Sequence, residues 1–253
     1  MAEVLLDRSD RVAVITVHDP GRRNALTLDL SDRLVAAVRA CEDDPEVHAV
    51  VVTGAPPAFC AGADLTALGE AREEGLRRIY AGFLAVADCA LPTIAAVGGA
   101  AVGAGLNLAL ACDVRLVNDD ARFDARFLQL GIHPGGGMTW MLHRLAGPQV
   151  TTAMTLFGQV LGADAAVAHG LAWSRVDGGH DELVAAAVEF ARPSAEASRD
   201  LVRTIKASLR ATAKLADHAD AVDTELTPQV ASIGTPEFQA RLAAMKARIS
   251  SRG

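Results

Sequence analysis

Between Cys89 and Cys112 the chain reads CALPTIAAVGGAAVGAGLNLALAC, without one charged side chain. A stretch this apolar belongs either in lipid or inside a protein. A membrane span needs an unbroken apolar helix, because lipid offers no partner for free backbone groups. Here Pro92 and the glycines Gly98, Gly99, Gly103 and Gly105 interrupt the run, and large apolar residues are sparse. Two buried elements joined by a glycine turn fit it better: a strand at Thr93–Val97, then a helix over about 105–111. No membrane association is expected. One polar residue, Asn107, stands alone within AVGAGLNLAL, and the pattern does not explain it.

The flanking sequence extends the alternation of strand and helix. RVAVITV at 11–17 has the β-branched content of a strand, with a possible partner at 4–6. Thr27 is placed to cap a helix running to about residue 41, with Leu30, Leu34, Val35 and Val38 on one face. AVVVT at 49–53 and VRLV at 114–117 read as further buried strands, and 172–176 as a last one. Short buried strands between helices indicate an α/β fold. From residue 181 the chain reads as helical, over 181–191 and 195–216 and then in two more pieces. Thr235-Pro236-Glu237 opens the final helix with a cap, a first-turn proline and an acid beside the helix dipole. We therefore expect an α/β core over 1–190 and a helical segment over 191–253.

Composition narrows the function. The 253 residues are 51% hydrophobic and 22% charged, with net charge -7. An acidic chain lacks the basic face that nucleic acid requires, so no nucleic-acid partner is expected. The cysteines Cys41, Cys60, Cys89 and Cys112 are widely spaced without a CxxC pair, which reads as reduced thiols rather than a disulfide or zinc framework. The start, MAEVLLDRSD, is acidic where an export signal would be basic, so a cytoplasmic location is expected. Walker A, GxSxG, HExxH and a well-formed GxGxxG are all missing.

Three segments then belong together: RRNAL at 22–26, AFCAGADL at 58–65, and AVGAGLNLALACDVR at 101–115, followed by Arg122-Phe123 and GIHPGGG at 131–137. In order and spacing they resemble the crotonase superfamily, the enoyl-CoA hydratase/isomerase fold, over roughly residues 4–180. The resemblance implies a spiral of ββα repeats with a helical C-terminal segment. It also implies an acyl-CoA ligand whose thioester enolate is stabilised by the backbone N–H groups of Ala63 and Ala104. Such donors cost about 10²–10³ in rate each when removed. By the same resemblance Arg22, Arg23, Ala61, Asp64 and Leu65 meet the coenzyme A portion. Solvated loop arginines are the plainer reading of Arg22 and Arg23, and Asp64 and Asp113 also read as residues that order the backbone. Coenzyme A enters as part of the substrate, with no tightly bound cofactor and no metal. Relatives form trimers or hexamers, and Phe238, Leu242 and Met245 are spaced to make such a contact from the last helix; packing on the chain's own core is the alternative.

The sequence departs from that family where its hydratases keep two glutamates. The first lies three residues after the second donor, on the same helix face, and here is Asn107. The second lies four residues after the strand-end phenylalanine, Phe123, and here is Phe127. Neither replacement moves a proton near neutral pH, and general acid–base groups contribute roughly 10²–10⁴-fold each. Ordinary hydration is therefore expected to be weak or absent. Asp124 and His133 are possible substitutes, with a turn-capping acid and a satisfied loop histidine as the plainer readings; Tyr80 and Cys60 are weaker candidates. Asn107 either faces the pocket or ties its helix to a neighbouring loop, and Phe127 makes the pocket drier. Two functions stay open: an enzyme with non-standard proton-transfer groups, and an acyl-CoA-binding protein without catalysis.

Overall fold

The computed structural model describes residues 2–70 and 72–250, apart from the side chains of Ala67 and Glu70. Strands β1 (Glu3–Ser9) and β2 (Val12–His18) form an antiparallel pair. Helix α1 (Leu28–Asp43) starts at Thr27, whose hydroxyl accepts from the Leu30 amide at 3.1 Å, as the sequence led us to expect. β3 (Ala49–Gly54) returns parallel to β2 and is buried along its whole length. The chain then makes a step that it repeats twice. β4 (Ala58–Cys60) leaves the first sheet, and α2 (Leu65–Glu70) and α3 (Glu73–Asp88) lead back to β5 (Thr93–Val97), parallel to β3. From β5 the route is β6 (Ala100–Val102) and α4 (Ala104–Ala111). From β7 (Val114–Val117) it is β8 (Arg122–Asp124), α5 (Phe127–Leu130) and α6 (Met138–Leu156). β9 (Leu161–Gly162), α7 (Ala163–Ala168), β10 (Ser174–Arg175) and α8 (His180–Glu196) complete this part of the chain.

The outgoing strands make a 6-stranded sheet, β1-β2-β3-β5-β7-β10, and the steps a 4-stranded one, β4-β6-β8-β9. This is a mixed α/β fold with parallel sheets, built as a spiral of strand, strand and helix. Strand periodicity divides the core. Ile15, Val50, Val52, Ala95 and Val97 face one side of the large sheet with α1 and α4. Val14, Val51, Ile94, Ala96 and Leu116 face the other, against Leu183, Ala187 and Ala191 of α8. Both faces are covered, which explains near-continuous apolar strands. Helix α4 is buried from Ala104 to Leu110 and packs against α3 and α6. A helix enclosed on every side has no use for an amphipathic stripe, and so the charge-free run is accounted for by protein and not lipid. No helix among the described residues is long and apolar enough to cross a membrane.

Some expectations need correction. The last strand is only Ser174–Arg175, and the helices α3 and α6 lie where none was expected. The anticipated boundary at residue 190 falls inside α8, which Ala187, Ala191 and Ala195 keep buried. Contacts divide the chain at Ala197 and Ser198 instead. A single helix over 195–216 does not form, because Ala197 is extended and Ser198 caps a new helix. That second unit comprises α9 (Arg199–Thr212), α10 (His218–Ile233) and α11 (Pro236–Ser250), with α10 packed on both others. Thr235 caps α11 through its hydroxyl, which accepts from the Phe238 amide at 3.2 Å.

Candidate active site

The three sequence segments meet because backbone bonds staple them. The Leu26 amide donates to the Gly62 carbonyl at 2.7 Å, Asp64 to Leu26 at 2.9 Å, and Ala61 to Arg23 at 2.9 Å. Asn24 fixes the same corner from within. It is fully buried, donates to the carbonyls of Ala55 and Ala58 at 2.7 Å each, and accepts from the Asp19 amide at 2.8 Å. Its φ of 59° is one asparagine tolerates better than most residues. Nothing in the RRNAL motif as a sequence marks this asparagine as the residue that holds the corner.

Along the stapled segment, Gly62 and Asp64 bond to Leu26, so the Ala63 N–H faces the opposite side. Pairing of β4 with β6 sets Ala58 against Ala100 and Cys60 against Ala101, which brings the second segment alongside. There Gly103 turns the chain at φ 53° and Ala104 begins α4. The Gly103 amide is held by the Asp124 carbonyl at 3.0 Å, and the Asn107 amide by Gly103 at 3.0 Å. Ala104 sits in the first turn, where an N–H has no partner inside the helix and the dipole favours negative charge. Its nitrogen is 3.8 Å from where a side chain on Gly62 would begin.

Ala63 and Ala104 both line a cavity of about 680 Å³. Arg22, Ala61, Asp64, Leu65, Asn107, Phe127 and His133 line it as well, whereas Arg23 and Asp124 do not. Arg22 is half exposed and ion-paired with Asp64. Arg23 takes a left-handed conformation and contributes its carbonyl to the staple. Asp124 is buried and ion-paired with Arg126, and that hydrogen bond raises the Arg126 pKa above its ordinary value. His133 is exposed, with Nδ1 2.7 Å from the Pro134 carbonyl. Cys60 is fully enclosed, and burial pushes its thiol up to about 12, far from a reactive thiolate. Asp113 accepts from the Thr93 amide and hydroxyl and belongs to the scaffold. Among the described residues no group of acids, histidines and cysteines is arranged to hold a metal.

The rest of the wall is mostly apolar, with Leu68, Leu76, Ile79, Leu130 and Ile132, and it includes Tyr80 and Gly135. Sequence reasoning missed Arg126, Ile79 and Leu130. Arg126 stands in a left-handed turn (φ 62°) that no motif marks. Asn107 answers its earlier ambiguity both ways: it lines the cavity, and its Nδ2 donates to the Gly135 carbonyl at 2.9 Å, tying α4 to the GIHPGGG loop.

A family model described as enoyl-CoA hydratase/isomerase matches residues 7–247. The chain belongs to the enoyl-CoA hydratase/isomerase family. Among its relatives is a protein from Mycobacterium tuberculosis named probable enoyl-CoA hydratase EchA14, 55% identical over 254 residues that cover 97% of this chain and 98% of that protein. A probable enoyl-CoA hydratase of Rhodobacter capsulatus is 41% identical over 175 residues, 66% of each chain. The crystal structure of an enoyl-CoA hydratase from Bacillus anthracis superposes with a TM-score of 0.90 at 28% identity, covering 97% of this chain and 96% of that one. Membership of the hydratase/isomerase family thus rests on nearly the whole chain and not on the cavity alone.

Proposed function

We propose that this protein is an enzyme acting on acyl-CoA thioesters. It stabilises the thioester enolate with the N–H groups of Ala63 and Ala104, and its ordinary hydratase activity is weak. The observation that carries the reading is that both alanines, delivered by separate segments, line one largely apolar cavity. In such a site, preformed donors act on developing charge far more strongly than water does. Arg22, Ala61, Asp64 and Leu65 border the same cavity and are the residues assigned to the coenzyme A portion. The names of the relatives supply the substrate class.

The reaction is where this chain parts from those names. Asn107 and Phe127 both line the cavity at the positions assigned to the glutamates of hydratases, and neither exchanges a proton. Of the two substitutes, His133 borders the cavity, and Asp124 is held by Arg126 outside its lining. That scarcity of free carboxylates also favours the second reading, an acyl-CoA-binding protein without catalysis. A panel of acyl-CoA thioesters followed by mass spectrometry separates the two, since turnover of any member removes the pure binder.

Ala104→Pro tests the enolate-stabilising pair. Proline lacks the N–H but is favoured at the first helical position, so the fold is expected to survive. Turnover of whichever thioester the panel identifies should fall about 10²–10³-fold; an unchanged rate in folded protein removes Ala104 from the mechanism. Hydration is probed by Asn107→Glu combined with Phe127→Glu. With crotonyl-CoA, the wild type is expected to be slow, the pair of changes to bring a measurable gain, and neither change alone to do so. A wild-type rate like that of ordinary hydratases, in protein free of host enzyme, would end the claim that these two positions disable hydration.

A further inference from the structure

A backbone donor on a turn is only as well aimed as the neighbours that hold the turn. On the Ala104 side the turn is Gly103, whose φ of 53° and ψ of -113° suit glycine and few other residues. Its neighbours are Asp124 and Ala125. The Gly103 amide donates to the Asp124 carbonyl at 3.0 Å, and the Ala125 carbonyl oxygen lies 3.9 Å from where a Gly103 side chain would begin. Val102 and Asp124 form the last rung between β6 and β8. β9, on the other side of β8, pairs with Arg122 and Phe123 and goes no further. The strand end that supports the turn therefore has a ladder on one side only, and such ends fray unless something ties them.

The Asp124 side chain supplies the tie. It is 6% exposed, and among the described residues the partner of its carboxylate is Arg126, whose Nε and Nη2 both donate to Oδ2. A buried carboxylate keeps its place only while its charge is met, so the pair stops Asp124 from turning toward water. Arg126 takes φ 62°, a left-handed conformation uncommon for arginine. From that turn its guanidinium folds back on the residue two positions earlier. Arg126 lines the cavity and Asp124 does not. Any effect of Asp124 on a ligand must then pass through the backbone.

We propose that Asp124 and Arg126 are positioning residues for the Ala104 N–H. The ion pair holds the Asp124 carbonyl, the carbonyl holds the Gly103 amide, and the turn at Gly103 aims the next N–H at the thioester oxygen. Asp124 then works through its paired charge and its carbonyl, and transfers no proton. The proposal rests on the reading of Ala63 and Ala104 as the donors that stabilise the enolate.

Butyryl-CoA labelled with carbon-13 at the thioester carbonyl tests this without any turnover. Hydrogen bonds to the oxygen draw electron density from the carbon and move its NMR resonance downfield. Calorimetric titration confirms that each variant binds. The wild-type protein is expected to shift the resonance downfield from that of the free thioester, and Ala104→Pro to lose a large part of the shift. Asp124→Leu and Arg126→Met should lose a large part of it too, and Arg126→Lys should restore much of it. Where the panel finds a substrate, its turnover should fall about 10–10²-fold in the first two. A pair that only stabilised the fold would change unfolding and leave the shift of the folded, bound protein where it was.

A full shift in both Asp124→Leu and Arg126→Met overturns the proposal. So does a loss in Arg126→Met alone, since Arg126 borders the cavity and would then be acting on the ligand itself. If leucine at position 124 prevents folding, Asp124→Asn removes the charge at the same shape and is read in the same way. No binding, no downfield shift in the wild type, or a shift that Ala104→Pro leaves intact defeats the donor reading, and this proposal with it.

Discussion

Arg115→Leu should destabilise the protein by about 3–5 kcal/mol. Arg115 is 5% exposed and lies on β7 with its guanidinium turned into the core. Nε donates to the Leu171 carbonyl at 2.6 Å, and Nη1 donates to Cys112 at 2.7 Å and to Ala109 at 3.4 Å. The Ala109 and Cys112 carbonyls belong to the C-terminal end of α4, where the dipole is negative and a cation is favoured. Burial pulls the arginine pKa below its ordinary value, yet the group is too basic to lose its proton at neutral pH. Leucine removes these donated bonds, and a buried acceptor left unsatisfied costs about 1–3 kcal/mol. Local relaxation keeps the total below the simple sum. Urea unfolding checks this, and a loss under about 1 kcal/mol would show that these bonds are readily replaced. Arg115→Lys should fall between the two, since a lysine cannot reproduce the fork.

The second large effect is expected at Gly105. In an exposed helix, glycine to alanine gains up to about 1 kcal/mol. Here the added carbon would lie 2.0 Å from the Cys60 carbonyl oxygen and 2.7 Å from its carbon. These are backbone atoms of β4, so no side-chain rotation relieves the clash, and α4 and β4 must separate. We expect Gly105→Ala to destabilise by about 2–4 kcal/mol. Cys60 leads into Ala61–Ala63 and Gly105 follows Ala104, so the same displacement parts the two N–H groups of the cavity. A misplacement of about 1 Å costs on the order of 10²-fold in a site of this kind. Urea unfolding and acyl-CoA turnover, measured on one preparation, should both show the loss. Retained turnover in a destabilised variant would mean that the donors do not depend on this contact.

Much of this architecture was legible in the sequence because burial on both faces leaves a plain mark. β3, β5 and β7 are short β-branched runs, and Thr27 announced α1 by the hydroxyl it places before the first turn. The second sheet was not legible. Its strands Ala58–Cys60, Ala100–Val102 and Arg122–Asp124 are too short for alternation to appear. Gly147 and Pro148 hid α6, which bends there at φ 79°. α3 was overlooked although Ile79, Phe83 and Val86 recur at helical spacing. At the cavity, positions inside motifs could be anticipated: Ala63, Ala104, Asn107, Phe127 and His133 all reach its wall. Ile79, Leu130 and Arg126 arrive there through packing and a left-handed turn, which short spacings do not encode.

The groups assigned to the enolate are main-chain amides, and that has a consequence for how such a protein diverges. An N–H is present in every residue except proline, so Ala63 and Ala104 are defined by where the backbone runs and hardly by what side chain they carry. Mutation can rewrite Asn107, Phe127 or Tyr80 without moving either amide, and the recognition of a thioester can outlast a change in the reaction performed on it. A superposition with a TM-score of 0.90 at 28% identity shows how closely the backbone path is kept while most side chains differ. For a chain of this kind, the path of the backbone is the inherited part, and the cavity side chains are where one descendant's chemistry is told from another's.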